Sequence, residues 1–168
     1  SLRLDVAYLE LLKWLNQAQP ELTLKAAPVL DCQDYGWVLW IETTECQNIE
    51  EVAQYFQRLG AHLAVFYFLG GTDFHEDNFL ANGSQPIPVD LEGIGAMALA
   101  CHADRQSQDK LPRPWQLDTV FASLMLSRWY NKLGYDLEVI SMSPFTGRKE
   151  GQIWPIPMPT YYNLGTDK

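Results

Sequence analysis

Three oxygen-bearing side chains in the stretch GGTDFHEDNFLANGSQPIPVDLE, Gly70 to Glu92, have types and spacing suited to phosphoryl transfer. Asp73 and Asn78 stand five residues apart, an interval that puts a hydroxyl-orienting carboxylate and a magnesium-holding amide on one loop. Beyond Asn78 come a short apolar run, Phe79 to Ala81, an Asn82-Gly83 turn, and a second apolar run that ends at Asp90. This pattern predicts a loop, a hairpin and a second acidic metal ligand. Asp and Asn are common in turns, so the first pair alone says little; the hairpin and Asp90 at its far end turn the pair into a site. Magnesium asks little more, because it keeps waters and takes its other oxygens from substrate phosphates.

The elements needed to hold this loop are legible on both sides. Leu2 to Gln17 reads as an amphipathic helix, with Val6, Leu9, Leu11, Leu12 and Leu15 on one stripe, Asp5, Glu10 and Lys13 mostly opposite, and Pro20 just beyond. Tyr35 to Glu42, YGWVLWIE, is rich in aromatic and β-branched residues and predicts a buried strand. Asn48, with Glu51 three residues on, forms a capping-box signature, so a second helix starts at Ile49 and runs to about Leu69. Its second half, LAVFYFL, is apolar almost throughout and predicts a buried end, which Gly70-Gly71 terminates. Asp73 is thereby placed directly after a buried helix, where a rigid scaffold presents a loop. Farther on, Gly93 to Pro114 reads as a loop with at most one short helix around Met97 to His102, and Trp115 to Lys132 as a helix stopped by Gly134. The prolines after Ser141 exclude a long helix, and the aromatics there predict a packed tail.

Composition bounds the partners. The chain has 168 residues, 47% of them hydrophobic, enough for one domain with a core and too few for two. Twelve basic residues against 21 acidic ones give net −9, which argues against nucleic acid or an anionic membrane as the main partner. A magnesium nucleotide is still admissible, because the ion screens phosphate from nearby carboxylate. Cys32, Cys46 and Cys101 are odd in number and have no CxxC spacing, so they indicate neither a disulfide framework nor zinc, and a reducing compartment, the cytoplasm, fits. No apolar run is long enough to span a membrane. The opening residue is Ser1 rather than Met, which predicts a piece of a longer protein. Among the remaining candidates, His62 reads as lining a buried helix, His102 as a loop residue, and the Trp and Tyr side chains as core.

Asp73, His75, Asn78, Ala81, Gly83, Asp90, Leu91 and Glu92 together match an Asp-x-His-x-x-Asn loop followed by a glycine turn and a VDLE strand. With the YGW at Tyr35 to Trp37, the opening SLRLD and the closing NLGTDK, the chain resembles the dehydratase domain of class II lanthipeptide synthetases, the LanM type, over nearly its whole length. Leu39 departs from the acidic residue common there. The resemblance implies an α+β, protein-kinase-like fold, mainly its helical C-lobe with the catalytic loop and hairpin. It also implies that residues 1–168 are incomplete at both ends, with a phosphate-positioning lysine just before Ser1 and a cyclase domain beyond Lys168. The implied activity is phosphorylation of Ser and Thr in a precursor peptide with ATP and magnesium, followed by phosphate elimination. Asp73 then carries over as the catalytic base, with Asn78 and Asp90 as magnesium ligands in the nucleotide site. His75 and Glu92 carry over as supporting residues: His75 for proton transfer, since imidazole titrates near neutrality, and Glu92 for the nucleotide site, since on an extended segment it shares a face with Asp90. Arg113 and Arg148 are available cations for the leaving phosphate.

Three other readings stand beside this one. Aminoglycoside-type phosphotransferases carry a similar loop, but the YGW segment and the tail favour the lanthipeptide family. A metallophosphoesterase needs further Asp, Asn and His ligands downstream, where His102 is the only further histidine and no glycine-Asn-His motif follows. An inactive remnant that binds a partner is the non-enzymatic reading, and stabilisation by ATP would count against it.

Overall fold

Two helices cross a common core, and the first is α1, Arg3–Ala18, which buries Tyr8 and Leu12 with Leu9, Leu11 and Leu15 flanking them. The computed structural model describes residues 2–96, 119–126, 128–130, 138–140 and 143–146. The chain leaves α1 at Gln19, and the Asn16 side chain ties the following segment back by donating to the Leu24 carbonyl at 2.8 Å and accepting from its amide at 2.7 Å. Two short strands follow, β1 (Val29–Asp31) and β2 (Gly36–Val38), paired antiparallel with Leu30 opposite Trp37.

This hairpin corrects the expectation of a buried strand over Tyr35 to Glu42. Only three of those residues are in a strand, and Tyr35, Trp37, Val38, Leu39 and Trp40 are all exposed, Trp40 by 88%. Two strands give a single ribbon, and among the described residues no further layer lies over its outer face. β-Propensity identified the strand but could not supply its cover.

Helix α2, Ile49–Phe68, begins as its signature predicts. The Asn48 side chain accepts from the Glu51 amide at 2.9 Å, and the Glu51 carboxylate reaches back to the Gln47 amide at 2.8 Å. Leu59, His62 and Phe66 form its buried stripe. The apolar second half is not buried all round, because Tyr67 and Phe68 face outward, Phe68 by 89%. The helix closes in a Schellman turn: Gly70 takes φ 63°, its amide donates to Tyr67 O at 3.2 Å, and the Gly71 amide donates to Phe66 O at 2.7 Å. A Cβ on Gly71 would stand 2.6 Å from Phe74, so this glycine is needed for close approach.

The site hairpin is β3 (Phe79–Asn82) and β4 (Gln85–Pro88), antiparallel, with Phe79 opposite Pro88 and Leu80 opposite Ile87. All four residues of β4 are buried. Pro86 and Pro88 suit such a strand, because they bring no amide hydrogen that burial would leave unpaired. The Arg58 guanidinium of α2 fastens the hairpin turn, donating to the Ser84 carbonyl and hydroxyl at 2.7 Å each and to Leu22 O at 2.8 Å.

The helix expected over Trp115 to Lys132 is replaced, within the described residues, by a 3-10 turn at Val120–Ser123 and a strand β5 (Arg128–Tyr130) that pairs antiparallel with β6 (Glu138–Ile140). Leu124 at φ 64° breaks the helical path between them. Helical periodicity alone did not reveal that break. The short helix at Met97 to His102, Gly134, Arg113, Arg148 and most of the tail lie outside the described residues. Phe145 is described and packs against the core.

Candidate functional site

The loop after α2 is fixed from below before any polar residue enters it. Phe74 is fully buried and stacks on Phe66 with centroids 3.6 Å apart at 9°. Its amide donates to Ser123 O at 2.8 Å, and the Thr72 amide donates to Gly93 O at 3.0 Å. Asp73 lies between these two anchors. Its φ is 67°, and Asp90 has φ 56°, so both candidate acids occupy the left-handed region. Such positions cost a non-glycine residue about 1–3 kcal/mol and gather at functional sites.

The structure brings four of the five expected site residues to the open end of the β3–β4 hairpin. Asn78 ends a 3-10 turn, Glu76–Asn78, and its side-chain amide donates to Asp73 O at 2.6 Å. Spending its NH₂ inward leaves the Asn78 side-chain oxygen as the group for a cation. The Val89 amide donates to the Asn78 carbonyl at 2.9 Å, which sets Asp90 beside Asn78. His75 caps the turn: its Nδ1 accepts from the Asp77 amide at 3.2 Å, so the proton of the neutral ring sits on Nε2. Nε2 lies 3.7 Å from the Asp73 carboxylate, itself 64% exposed. That separation is longer than a hydrogen bond, so the two side chains are close neighbours rather than hydrogen-bonded partners.

Glu92 is exposed on a 3-10 turn, Leu91–Gly93. The expected shared face with Asp90 assumed an extended segment, and strand alternation does not apply across this turn. The sequence also gave no sign of Asp5, which was assigned to the outer face of α1. Asp5 is partly buried, and its pKa is raised by burial and by the charge of Asp90, against a backbone hydrogen bond that lowers it. Helical periodicity places a residue on a face, but the approach of α1 to the Asp90 turn is a tertiary fact.

Among the described residues no cluster of three or more His, Cys, Asp or Glu could form a protein-only metal cage. The chemistry of an Asn amide oxygen and an Asp carboxylate on neighbouring backbone suits a hard cation that takes its other ligands from phosphate and water. The residues therefore fit magnesium as Asn78 and Asp90 would hold it. An apolar groove of about 440 Å³ lies elsewhere, between α1, Leu24 to Pro28, Leu39 to Glu42 and Ile87, and none of the five site residues lines it.

His62 matches its expected place: it is fully buried, with its Nδ1 2.7 Å from the Tyr8 hydroxyl. Burial lowers its pKa from 6.5 to about 3 and pushes Tyr8 well above its ordinary value, so both are neutral at physiological pH. Cys32 and Cys46 are free thiols, and no described helix is long and apolar enough to cross a membrane.

Lacticin 481/lactococcin biosynthesis protein LcnDR2 of Lactococcus lactis subsp. lactis is similar, 29% identical over 97 residues. That alignment covers 58% of this chain and 10% of the relative, so the matched stretch spans about a tenth of that protein. A family model described as a domain of unknown function, DUF4135, matches residues 1–168. With that match extending over its full length, the chain belongs to the DUF4135 family.

Proposed function

We propose that this chain is part of a lanthipeptide synthetase dehydratase with a protein-kinase-like fold, acting in the cytoplasm on Ser and Thr of a precursor peptide. The observation that carries the reading is the pair of backbone bonds, Val89 N to Asn78 O and Thr72 N to Gly93 O, which gathers Asp73, Asn78 and Asp90 at one open hairpin end. The similarity to a lantibiotic biosynthesis protein supports the peptide as substrate class.

In this reading Asp73 accepts the hydrogen bond of the acceptor hydroxyl and takes its proton as the oxygen attacks the γ-phosphorus of ATP and ADP leaves. His75, with Nε2 3.7 Å from the Asp73 carboxylate, acts as a supporting neighbour of the base. Asn78 and Asp90 would hold magnesium, which would supply neutralisation of developing phosphate charge. Elimination then transfers the α-proton of the phosphorylated residue to a base. The electron pair of the broken Cα–H bond forms the Cα–Cβ double bond as the Cβ–O bond breaks and phosphate departs, giving dehydroalanine or dehydrobutyrine.

The test is mass spectrometry of a precursor peptide treated with the full-length parent protein, magnesium and ATP. Water loss at Ser and Thr is expected, with neither phosphate addition nor water loss for Asp73→Ala. A general base is worth about 10²–10⁴ in rate. Dehydration by Asp73→Ala at the wild-type rate would remove Asp73 from the mechanism.

A further inference from the structure

We infer that Gly93 is a positioning residue that sets the separation between the Asp73 loop and the Asp90 turn; this rests on the phosphoryl-transfer reading of the site. Gly93 is not among the residues with positive φ, so it is not there for conformational freedom. The requirement is space. A Cβ on Gly93 would overlap the Thr72 carbonyl oxygen, and would stand 3.1 Å from the Thr72 carbonyl carbon and 3.7 Å from Asp73 Cβ. The atoms in the way are backbone, which cannot rotate aside as a side chain does. At the same point the Thr72 amide donates to Gly93 O at 3.0 Å. Gly93 itself is buried, two residues after Leu91, which is buried in the core.

The consequence runs to both carboxylates. Thr72 precedes Asp73, and Gly93 ends the turn that Asp90 begins, so the 72–93 contact is a backbone link between the two left-handed acids, alongside the one that runs through Asn78 and Val89. Any side chain at 93 must push the two backbones apart or turn one of them, moving Asp73 relative to Asp90 while the Phe66–Phe74 stack and the Ser123 bond hold the loop from the other side. The core beneath stays in place, and the geometry between base and metal ligand changes.

The test is Gly93→Ala in the full-length parent protein, with initial rates of peptide phosphorylation measured against magnesium, ATP and peptide concentrations. A displacement on the order of 1 Å costs about 10² in rate, so kcat is expected to fall by about that factor, with a raised magnesium requirement and an unchanged KM for peptide. A wild-type kcat and magnesium dependence in a folded variant overturns the inference. Should Gly93→Ala fail to fold, amide hydrogen exchange of the wild-type protein gives the second measurement. Magnesium and ATP together are expected to slow exchange at Thr72, since ligand on Asp90 tightens the turn carrying its acceptor. Unchanged exchange at Thr72 overturns the inference. If the wild-type protein neither binds magnesium-ATP nor phosphorylates peptide, the functional reading fails first, and the positioning role falls with it.

Discussion

Asp73 carries two separable properties, a carboxylate and a left-handed backbone. Asn tolerates that backbone and lacks the charge. Asp73→Asn is therefore expected to leave stability within about 0.5 kcal/mol while removing phosphorylation, and Asp73→Val to destabilise by about 1–3 kcal/mol through strain. Thermal denaturation beside the peptide assay separates the two effects. Asp5 makes an opposite case. An acid whose folded pKa is raised is disfavoured as the anion, so stability is lost as pH rises through its titration, and Asp5→Asn should raise the melting temperature in magnesium-free buffer at neutral pH. A lower melting temperature would count against the proximity of Asp5 and Asp90. The types and spacing of Asp73, Asn78 and Asp90 were legible because loop and hairpin chemistry is local. Asp5 was not, because nothing in α1 records which loop it approaches.

Helices α1 and α2 meet through Tyr8, His62 and Phe66, with Tyr8 and Phe66 stacked at 5.3 Å and 13°. The Tyr8 hydroxyl and His62 Nδ1 share a hydrogen bond, and Nε2 has no hydrogen-bond partner among the described residues. Removing one partner strands the other: His62→Leu is expected to cost about 1–3 kcal/mol beyond lost packing, and the Tyr8→Phe/His62→Leu double variant to recover part of that. A denaturant-unfolding cycle measures the difference. The same pair sets an acid response. Unfolded, the imidazole titrates near 6.5; folded, near 3. Between those values the unfolded chain binds a proton that the folded one refuses. Stability is thus full above about pH 6.5 and falls as pH drops toward 3, by up to about 1.4 kcal/mol per unit. The double variant should show a shallower loss between pH 6 and 4 in the same unfolding experiment. Both helices were readable from periodicity and the Asn48 cap. The hydrogen bond joining them, between residues 54 apart in sequence, was not.

Across the molecule as a whole, apolar surface is unevenly covered. Trp37, Leu39 and Trp40 are exposed next to the groove, which Leu39 and Trp40 also line, and single exposed apolars are ordinary where a contiguous set is not. The isolated chain is expected to bind a hydrophobic dye strongly. Trp37→Thr with Trp40→Ser should reduce that binding while changing stability by no more than about 1 kcal/mol, which dye titration and thermal denaturation together check. A large loss of stability would mean that these side chains pack against described core after all. The contrast between this face and the site hairpin separates two kinds of information. The amino-acid order alone specified the α1 and α2 registers, the Asn48 cap, the Gly70 stop and the Asp73–Asn78–Asp90 spacing, because each depends on interactions within a few residues. Folding in three dimensions determined that YGWVLWIE lies on the surface, that Leu124 interrupts the later helix, that α1 approaches the turn after Asp90, and that Gly93 must lack a side chain. Each of these depends on which distant backbone arrives alongside, and burial, desolvation and steric exclusion exist only once it has.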